Sequence, residues 1–357
     1  MTQPRYTPLA QSLPSTVPFV GPETKERARG SQFAARLGAN ENIFGPSPKA
    51  VSAMQEVLGV SWMYGDPENY DLRQALATHN GFSAQNIVVG EGIDGLLGYL
   101  VRLLISPGDC VVTSLGAYPT FNYHVSGFGG VIHTVPYVDD HEDPASLFAK
   151  AAEVGAKIVY LANPDNPMGS CHRGADIVAA MDQLPEGCLL LLDEAYVECA
   201  PEGTAVQITC DDPRLIRMRT FSKAYGLAGL RVGYSLCSPL IADFINRVRE
   251  PFNVNFTAQV AAIAALKDDD YLSESIKVNS DGYEQLVECF TSLHLNFIPS
   301  HANFIAVEFD DAMDIYNALL KEGVIVRPVE MSGYLRISIG TFEENAHLIA
   351  ALNKILC

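Results

Sequence analysis

The segment Cys188–Tyr196 reads CLLLLDEAY, an unbroken apolar run that ends on a carboxylate. A half-buried strand alternates apolar with polar residues, whereas a run apolar at every position is a strand buried on both faces. Such strands belong to mostly parallel sheets with helices packed on either side. Runs of the same kind lie outward from it in both directions: Asn86–Gly90, Cys110–Leu115, Val131–Tyr137, Lys157–Ala162, Leu215–Phe221 and Arg231–Cys237. Between them, Asp94–Leu104, Pro144–Ala152 and Ala175–Leu184 carry helical spacing. The pattern predicts an α/β fold with a seven-stranded, mostly parallel sheet and helices on both faces.

Beyond Pro251 the pattern changes. A long helical stretch, about Thr257 to His294, leads to strand-like runs at Asn303–Phe309, Val324–Val329 and Tyr334–Ile339, with helices near Asp311–Glu322 and from Phe342. This predicts a smaller α+β domain of residues 251–357, joined by an N-terminal arm of residues 1–37, beside a large domain of residues 38–250.

The chain has 357 residues, 48% of them hydrophobic, which is enough for two domains. A formal charge of −18 argues against nucleic acid or an anionic membrane as partner, since both need a positive surface. Any anionic ligand then depends on local cations and helix ends. Eight cysteines (Cys110, Cys171, Cys188, Cys199, Cys210, Cys237, Cys289, Cys357) lack CxxC spacing and read as reduced thiols of a cytoplasmic protein. The opening MTQPRYTPLAQSLP has no continuous apolar core, and no stretch is long and apolar enough to span a bilayer, so neither export nor insertion is expected. No metal-ligand spacing stands out.

In a sheet of this type ligands bind beyond the carboxyl ends of the strands. After Asn86–Gly90 comes GEGIDGLL, where Gly92, Ile93 and Asp94 open a helix whose free N–H groups favour an anion; helix capping alone also explains Asp94. After Cys110–Leu115, Phe121 offers a plane for a flat ring, although core packing is the commoner fate of a phenylalanine, and His124 reads as a satisfied histidine. After Lys157–Ala162, Asn166 presents an amide within a turn. Asp193, directly after four leucines, is costly to bury unless it meets a cation, and a protonated pyridine nitrogen is such a partner. Tyr196 follows within reach of the same ring. After Leu215–Phe221, Ser222–Arg231 (SKAYGLAGLR) offers Lys223, able to hold a carbonyl as a Schiff base, and Arg231, able to grip a phosphate; a Gly-rich turn with two solvated cations is the plain alternative. An anion cradle, a stacking ring, a phenol partner, a carboxylate for a ring nitrogen and a lysine together describe pyridoxal 5′-phosphate.

The segments ANENIFGPSP (Ala39–Pro48), YGDPENYDLRQALA (Tyr64–Ala77), NPDNPMG (Asn163–Gly169), DEAYVE (Asp193–Glu198), TFSKAYGLAGLRVGY (Thr220–Tyr234) and LRISIGTFEEN (Leu335–Asn345) resemble those of histidinol-phosphate aminotransferases, within the fold type I pyridoxal-phosphate-dependent transferases. The resemblance runs over about residues 36 to 350. It implies Lys223 as the cofactor lysine, Asp193 on the pyridine nitrogen, and Asn166 and Tyr196 on the phenolic oxygen. It also implies Phe121 stacked on the ring, and Gly92, Ile93, Asp94, Thr220, Ser222 and Arg231 around the phosphate. Arg336 matches the arginine that holds the substrate's acidic group, with Asn40 and Phe44 at the same end. Tyr64 matches a tyrosine that enters the neighbouring subunit's site, which implies a homodimer with shared active sites.

The implied reaction converts histidinol phosphate and 2-oxoglutarate to imidazole acetol phosphate and glutamate, a step of histidine biosynthesis. Departures from the family pattern are Glu91 and Ile93 in the phosphate turn, Ile43 and Phe44 in the first motif, Phe342 in the last, and a short segment from Arg327 to Arg336. They bear on the substrate, and leave open an aromatic or other unphosphorylated amino acid, which Phe44 and Phe342 would suit. Also open are decarboxylation of a phosphothreonine type and a non-catalytic cofactor-binding module.

Overall fold

The computed structural model describes residues 4–14, 20–207 and 212–356; Cys210, Cys357 and parts of the N-terminal arm lie outside them. A two-residue strand, β1 (Ala35–Arg36), precedes the strands of the main sheet: β2 (Ile87–Gly90), β3 (Cys110–Ser114), β4 (Val131–Val135), β5 (Ile158–Ala162), β6 (Leu189–Asp193), β7 (Leu215–Thr220) and β8 (Gly233–Leu236). These seven are ordered β2-β8-β7-β6-β5-β3-β4. All neighbours are parallel except β8, which runs antiparallel to both β2 and β7. Two reversals cancel, so β2 through β7 end at one edge of the sheet and β8 begins there. Each segment singled out in the sequence is delivered to that edge.

Alternate residues of β6 explain why its run is uniformly apolar. Leu191 packs with Leu96, Leu100, Ile158 and Ile216 on one face, while Leu190 and Leu192 pack with Leu147, Phe148 and Val159 on the other. Two arginines inside the neighbouring β7 need a separate explanation. Arg217 and Arg219 both meet the buried carboxylate of Glu194, at 3.0 and 2.9 Å. Burial alone would raise the Glu194 pKa, but Arg219 and Arg217 outweigh it and hold the carboxyl below its ordinary range.

Removing one member of a buried ion pair leaves the others uncompensated and costs about 3–5 kcal/mol. Glu194→Ala should therefore lose about that much in urea denaturation at neutral pH. A loss below about 1 kcal/mol, the range of exposed pairs, would refute the clamp. Because the folded pKa is depressed, the stabilisation is present above the ordinary glutamate value of 4.5 and is lost as pH falls through the lower folded value.

The second half of the chain adds β9 (Phe297–Ile298), β10 (Phe304–Glu308), β11 (Val324–Ile325), β12 (Arg327–Pro328) and β13 (Tyr334–Ser338). An antiparallel sheet of order β12-β13-β10-β9 packs Ile305, Val307, Leu335 and Ile337 against Leu286, Phe290 and Leu348. Ala35 and Leu37 join this cluster, and β1 pairs in parallel with β11.

Two expectations need correction. Val324–Val329 is not one strand: β11 pairs with β1 and β12 with β13. Pro328, which lacks an N–H, sits on the sheet's edge, where it breaks no ladder. The stretch from Thr257 is two helices, Phe256–Ala265 and Asp269–Ser292. The first buries Ala258, Ala261 and Ala262 against Ile87 and Val89 of the large sheet and Leu72 of the helix Tyr70–Asn80; the second presents Leu286 and Phe290 to the small one. One straight helix cannot serve both directions. The break falls at Asp268, whose side chain binds Lys49 at 2.6 Å.

Candidate active site

At the shared strand edge lies a cavity of about 700 Å³, bordered on the far side by Arg327–Glu330 and Arg336 from the second half of the chain. Lys223 follows β7 directly. Its Nζ donates to the Asn40 carbonyl at 3.2 Å and sits 5.5 Å from the Tyr196 ring centre. Asn40 is a hub. Held in the left-handed region at φ 53°, it donates from Nδ2 to Tyr196 Oη at 3.0 Å, and its Oδ1 accepts from Ser338 Oγ at 2.7 Å.

Asp193 closes β6 and is buried. It accepts from Tyr160 Oη at 2.7 Å and from the Ala195 N–H at 2.9 Å, and among the described residues no cation lies in salt-bridge contact with it. Burial pushes its pKa up to about 6, despite those two hydrogen bonds. Such a carboxylate favours a ligand that brings its own positive charge.

Asn166 connects the two sides of the cavity. Its Nδ2 donates to Tyr196 Oη at 3.3 Å, while its Oδ1 accepts from Arg336 Nη1 at 2.6 Å. Arg336, on β13, is buried, and its Nη2 donates to the Gly38 carbonyl at 3.0 Å. Its buried Nε has no partner among the described residues, and burial lowers its pKa. A guanidinium that borders a cavity suits an anionic group.

The anion cradle forms where Ser222, Thr220 and Arg231 meet the helix Gly92–Leu104. Arg231 Nη1 donates to Ser222 Oγ at 3.2 Å, and its Nη2 lies 3.4 Å from Asp94 Oδ2. The helix has no side-chain cap on its first N–H groups. Gly92 has φ +76°, and a Cβ there would come within 2.5 Å of Arg231 Nη2, so only glycine lets the guanidinium approach the helix end. Glu91, the acidic departure in this turn, faces elsewhere: it accepts from Tyr99 Oη at 2.5 Å and from Asn253 Nδ2 at 3.2 Å. Its charge is thereby kept out of the cradle. Ile93 lines the cavity without supplying a hydroxyl.

Four residues are not brought into this cavity. Phe121 is 0% exposed and stacks on Tyr160 at 5.0 Å beneath the site, so it is not the stacking ring. The helix Pro119–Gly127 turns that position toward the core, and the ring on the cavity wall is Tyr118, which donates to Asp94 Oδ1 at 3.2 Å. Phe44 lines a separate small recess on the other side of Lys223, with Asn303 and Ser275. Phe342, at the start of the last helix, is exposed and also outside the cavity. Tyr64 stacks on Phe252 at 4.7 Å and is 84% exposed, outside the cavity of its own chain. His124 lies on the cavity wall, with its pKa lowered by burial.

Tyr118 and Tyr160 were missed from sequence. Tyr160 had a signal, being the one hydroxyl in the apolar run Ile158–Ala162. Among the described residues no group of side chains has metal-binding geometry, and Cys110, Cys171, Cys188, Cys199, Cys237 and Cys289 are free thiols. Among those residues, too, no helix is long and apolar enough to cross a membrane.

This arrangement has counterparts among known proteins. Histidinol-phosphate aminotransferase 1 of Nitrosococcus oceani is 41% identical over 343 residues, covering 94% of this chain and 92% of its own. The corresponding enzyme of Moorella thermoacetica is 39% identical, covering 99% and 94%. A crystal structure of histidinol-phosphate aminotransferase from Sinorhizobium meliloti in complex with pyridoxal-5′-phosphate superposes with a TM-score of 0.95 at 45% identity, covering 99% of this chain and 98% of that one. The family model for aminotransferase class I and II matches residues 35–352, nearly all of both sheets, and the chain belongs to that family.

Proposed function

We propose that the protein is a pyridoxal 5′-phosphate-dependent transaminase that moves the amino group of histidinol phosphate to 2-oxoglutarate. The observation that carries this reading is the convergence of Lys223, Asp193, Asn166, Tyr196 and Arg336 on one cavity from both halves of the chain. The residues fit the cofactor: an uncapped helix end and Arg231 for the phosphate, Tyr118 for the ring face, and Asp193 for the ring nitrogen. When bound, that group supplies a carbonyl carbon that joins an amine and a ring that accepts electron density.

The chain's own residues divide the remaining work. Asp193 Oδ holds the proton on the ring nitrogen, the form in which the ring draws electrons. Asn166 and Tyr196 orient the ring through its phenolic oxygen. Lys223 Nζ, whose one hydrogen-bond partner among the described residues is the Asn40 carbonyl, is free to take a proton from the substrate's amine-bearing carbon. Arg336 holds the substrate's anionic end. Replacing it with lysine removes the two-pronged fork, so Arg336→Lys should raise KM for histidinol phosphate about tenfold or more, with a smaller change in kcat. An unchanged KM in steady-state kinetics would reject that role.

Glutamate release from histidinol phosphate and 2-oxoglutarate tests the whole reading. Turnover of phenylalanine but not histidinol phosphate would move it to aromatic amino acids, and release of CO₂ would move it to decarboxylation. The position of Phe44 and Phe342 outside the cavity favours the phosphorylated substrate over the aromatic one.

The reading includes a homodimer in the cytoplasm. Trp62 (81% exposed), Tyr64, Met63, Leu58 and Tyr70 form an apolar surface on one stretch of chain, the kind that a second subunit covers. It also includes a large cofactor-binding part, residues 38–250, and a small part made of residues 1–37 and 251–357, with the helix Phe256–Ala265 seated on the large one.

A further inference from the structure

Behind the loop that carries Asn166 two carboxyl groups are buried together. Glu142 is 1% exposed; one of its oxygens accepts from Ser114 Oγ at 2.7 Å and the other from the Ala162 N–H at 3.0 Å. These donors come from the ends of β3 and β5. Asp165 is also 1% exposed, and accepts from Tyr137 Oη at 3.1 Å and from the Met168 N–H at 2.9 Å. The two carboxyl groups are in hydrogen-bonding contact with each other.

No cation forms a salt bridge with either among the described residues. The donors described at the pair, Ser114 Oγ, the Ala162 and Met168 N–H groups and Tyr137 Oη, carry no formal charge, so two facing carboxylates would repel in a low-dielectric interior. A proton between them turns that repulsion into a charge-assisted hydrogen bond.

We propose that Glu142 and Asp165 hold a single proton between them and so act as positioning residues for Asn166, the side chain that joins Tyr196 to Arg336. Asp165 immediately precedes Asn166, and its backbone is pinned by a bond from its N–H to the Ser170 carbonyl at 2.9 Å and by the Gly169 N–H on its own carbonyl at 3.1 Å. With one proton in place the turn from Asn163 to Gly169 is locked to β3 and β5. With the proton lost, Asp165 and Asn166 are pushed from Glu142, and the Asn166 contacts at 3.3 and 2.6 Å loosen.

The surrounding groups favour retention of that proton. Burial raises the Glu142 carboxyl well above its ordinary range, with the Asp165 charge adding to it, and burial likewise raises Asp165. Tyr137, on the Asp165 side, is held neutral by burial and by the same charges. Tyr160, on β5, is also held neutral by burial and by Asp193, to which its hydroxyl donates at 2.7 Å. His172 binds the Glu142 backbone carbonyl through Nε2 at 2.6 Å, with His141 5.3 Å from it, and Arg336 and Asp143 complete the charged surroundings.

The inference rests on the transaminase reading only for one of its two readouts. Wild type, Glu142→Gln and Asp165→Asn are compared in cofactor-loaded form between about pH 6 and about pH 10, a window set by the upward shift of a buried acid pair. An amide in place of either acid can donate to the remaining carboxylate but has no proton to lose. KM for histidinol phosphate should rise about tenfold or more with pH in wild type, and stay within about twofold in both variants.

The second readout is thermal melting of the cofactor-free proteins. A folded pKa above the unfolded value gives stability that is full below the ordinary glutamate value of 4.5 and is lost as pH rises through the folded value. Wild type should therefore lose melting temperature relative to both variants as pH rises, and the two variants should follow the same curve. Parallel melting and KM profiles in all three proteins would overturn the proposal, as would flattening in one variant alone. If none of the three turned over histidinol phosphate, the substrate reading would fall, and the melting curves would decide the shared proton without it.

Discussion

Lys223→Ala is expected to lower the rate of amino-group transfer by at least about 10³-fold, since positioned proton transfer alone contributes about 10²–10⁴-fold. The fold should not notice. Among the described residues Lys223 Nζ makes one hydrogen bond, to the Asn40 carbonyl, and it stands 5.5 Å from the Tyr196 ring centre, so its loss costs about 1 kcal/mol or less. Rapid-mixing measurement of a single half-reaction, alongside urea denaturation, separates the two effects. Transfer within tenfold of wild type would remove Lys223 from the centre of the chemistry. A large drop in stability would instead make it a structural residue.

Asp193→Asn should lower kcat by about 10²–10⁴-fold, because asparagine has no charge with which to keep a ring nitrogen protonated. Stability should move the other way. The Asp193 pKa is pushed up to about 6, chiefly by burial, from an ordinary 3.8. The folded state thus prefers the protonated acid, and stability falls as pH rises from about 4 through about 6. Asparagine does not titrate. The cofactor-free variant should melt above the cofactor-free wild type at pH 7.5, and this lead should vanish below about pH 4. With cofactor bound the order should reverse, as wild type then carries a matched charge pair. A cofactor-free variant less stable than wild type at pH 7.5 would contradict the burial argument.

The large sheet was legible because its strands announce themselves locally. Each short, largely apolar run became a strand whose ends fall within about two residues of the reading, as at Leu189–Asp193. Pairing partners are not local, and there the reading failed. Nothing in Val324–Val329 says that two residues pair with the arm and two with β13. Nor does helical spacing across Thr257–His294 show that its halves face different sheets. At the site, Lys223, Asp193, Asn166 and Tyr196 were visible because a polar residue at the end of an apolar strand is costly without a purpose. Phe121 was read onto the cavity wall, where Tyr118 stands, because sequence gives the aromatic content of a helix start but not which position its first turn aims at the cavity. Glu142 carried no signal at all. Its significance depends on meeting Asp165, a contact between positions far apart in the chain, made only when β3 and β5 lie side by side.

The reversed strand β8 has a mechanical consequence. Because it starts where β7 ends, Lys223 and Arg231 belong to one hairpin, bounded by two strands hydrogen-bonded to each other from Thr220↔Gly233 inward. The spacing between the amine and the guanidinium is therefore an internal dimension of a single turn, indifferent to how the two sheets dock. Arg336 is mounted on the other sheet, so its distance from the same amine changes with any relative tilt. The molecule measures one ligand with a rigid gauge and the other with an adjustable caliper, and relatives can recalibrate the second without disturbing the first.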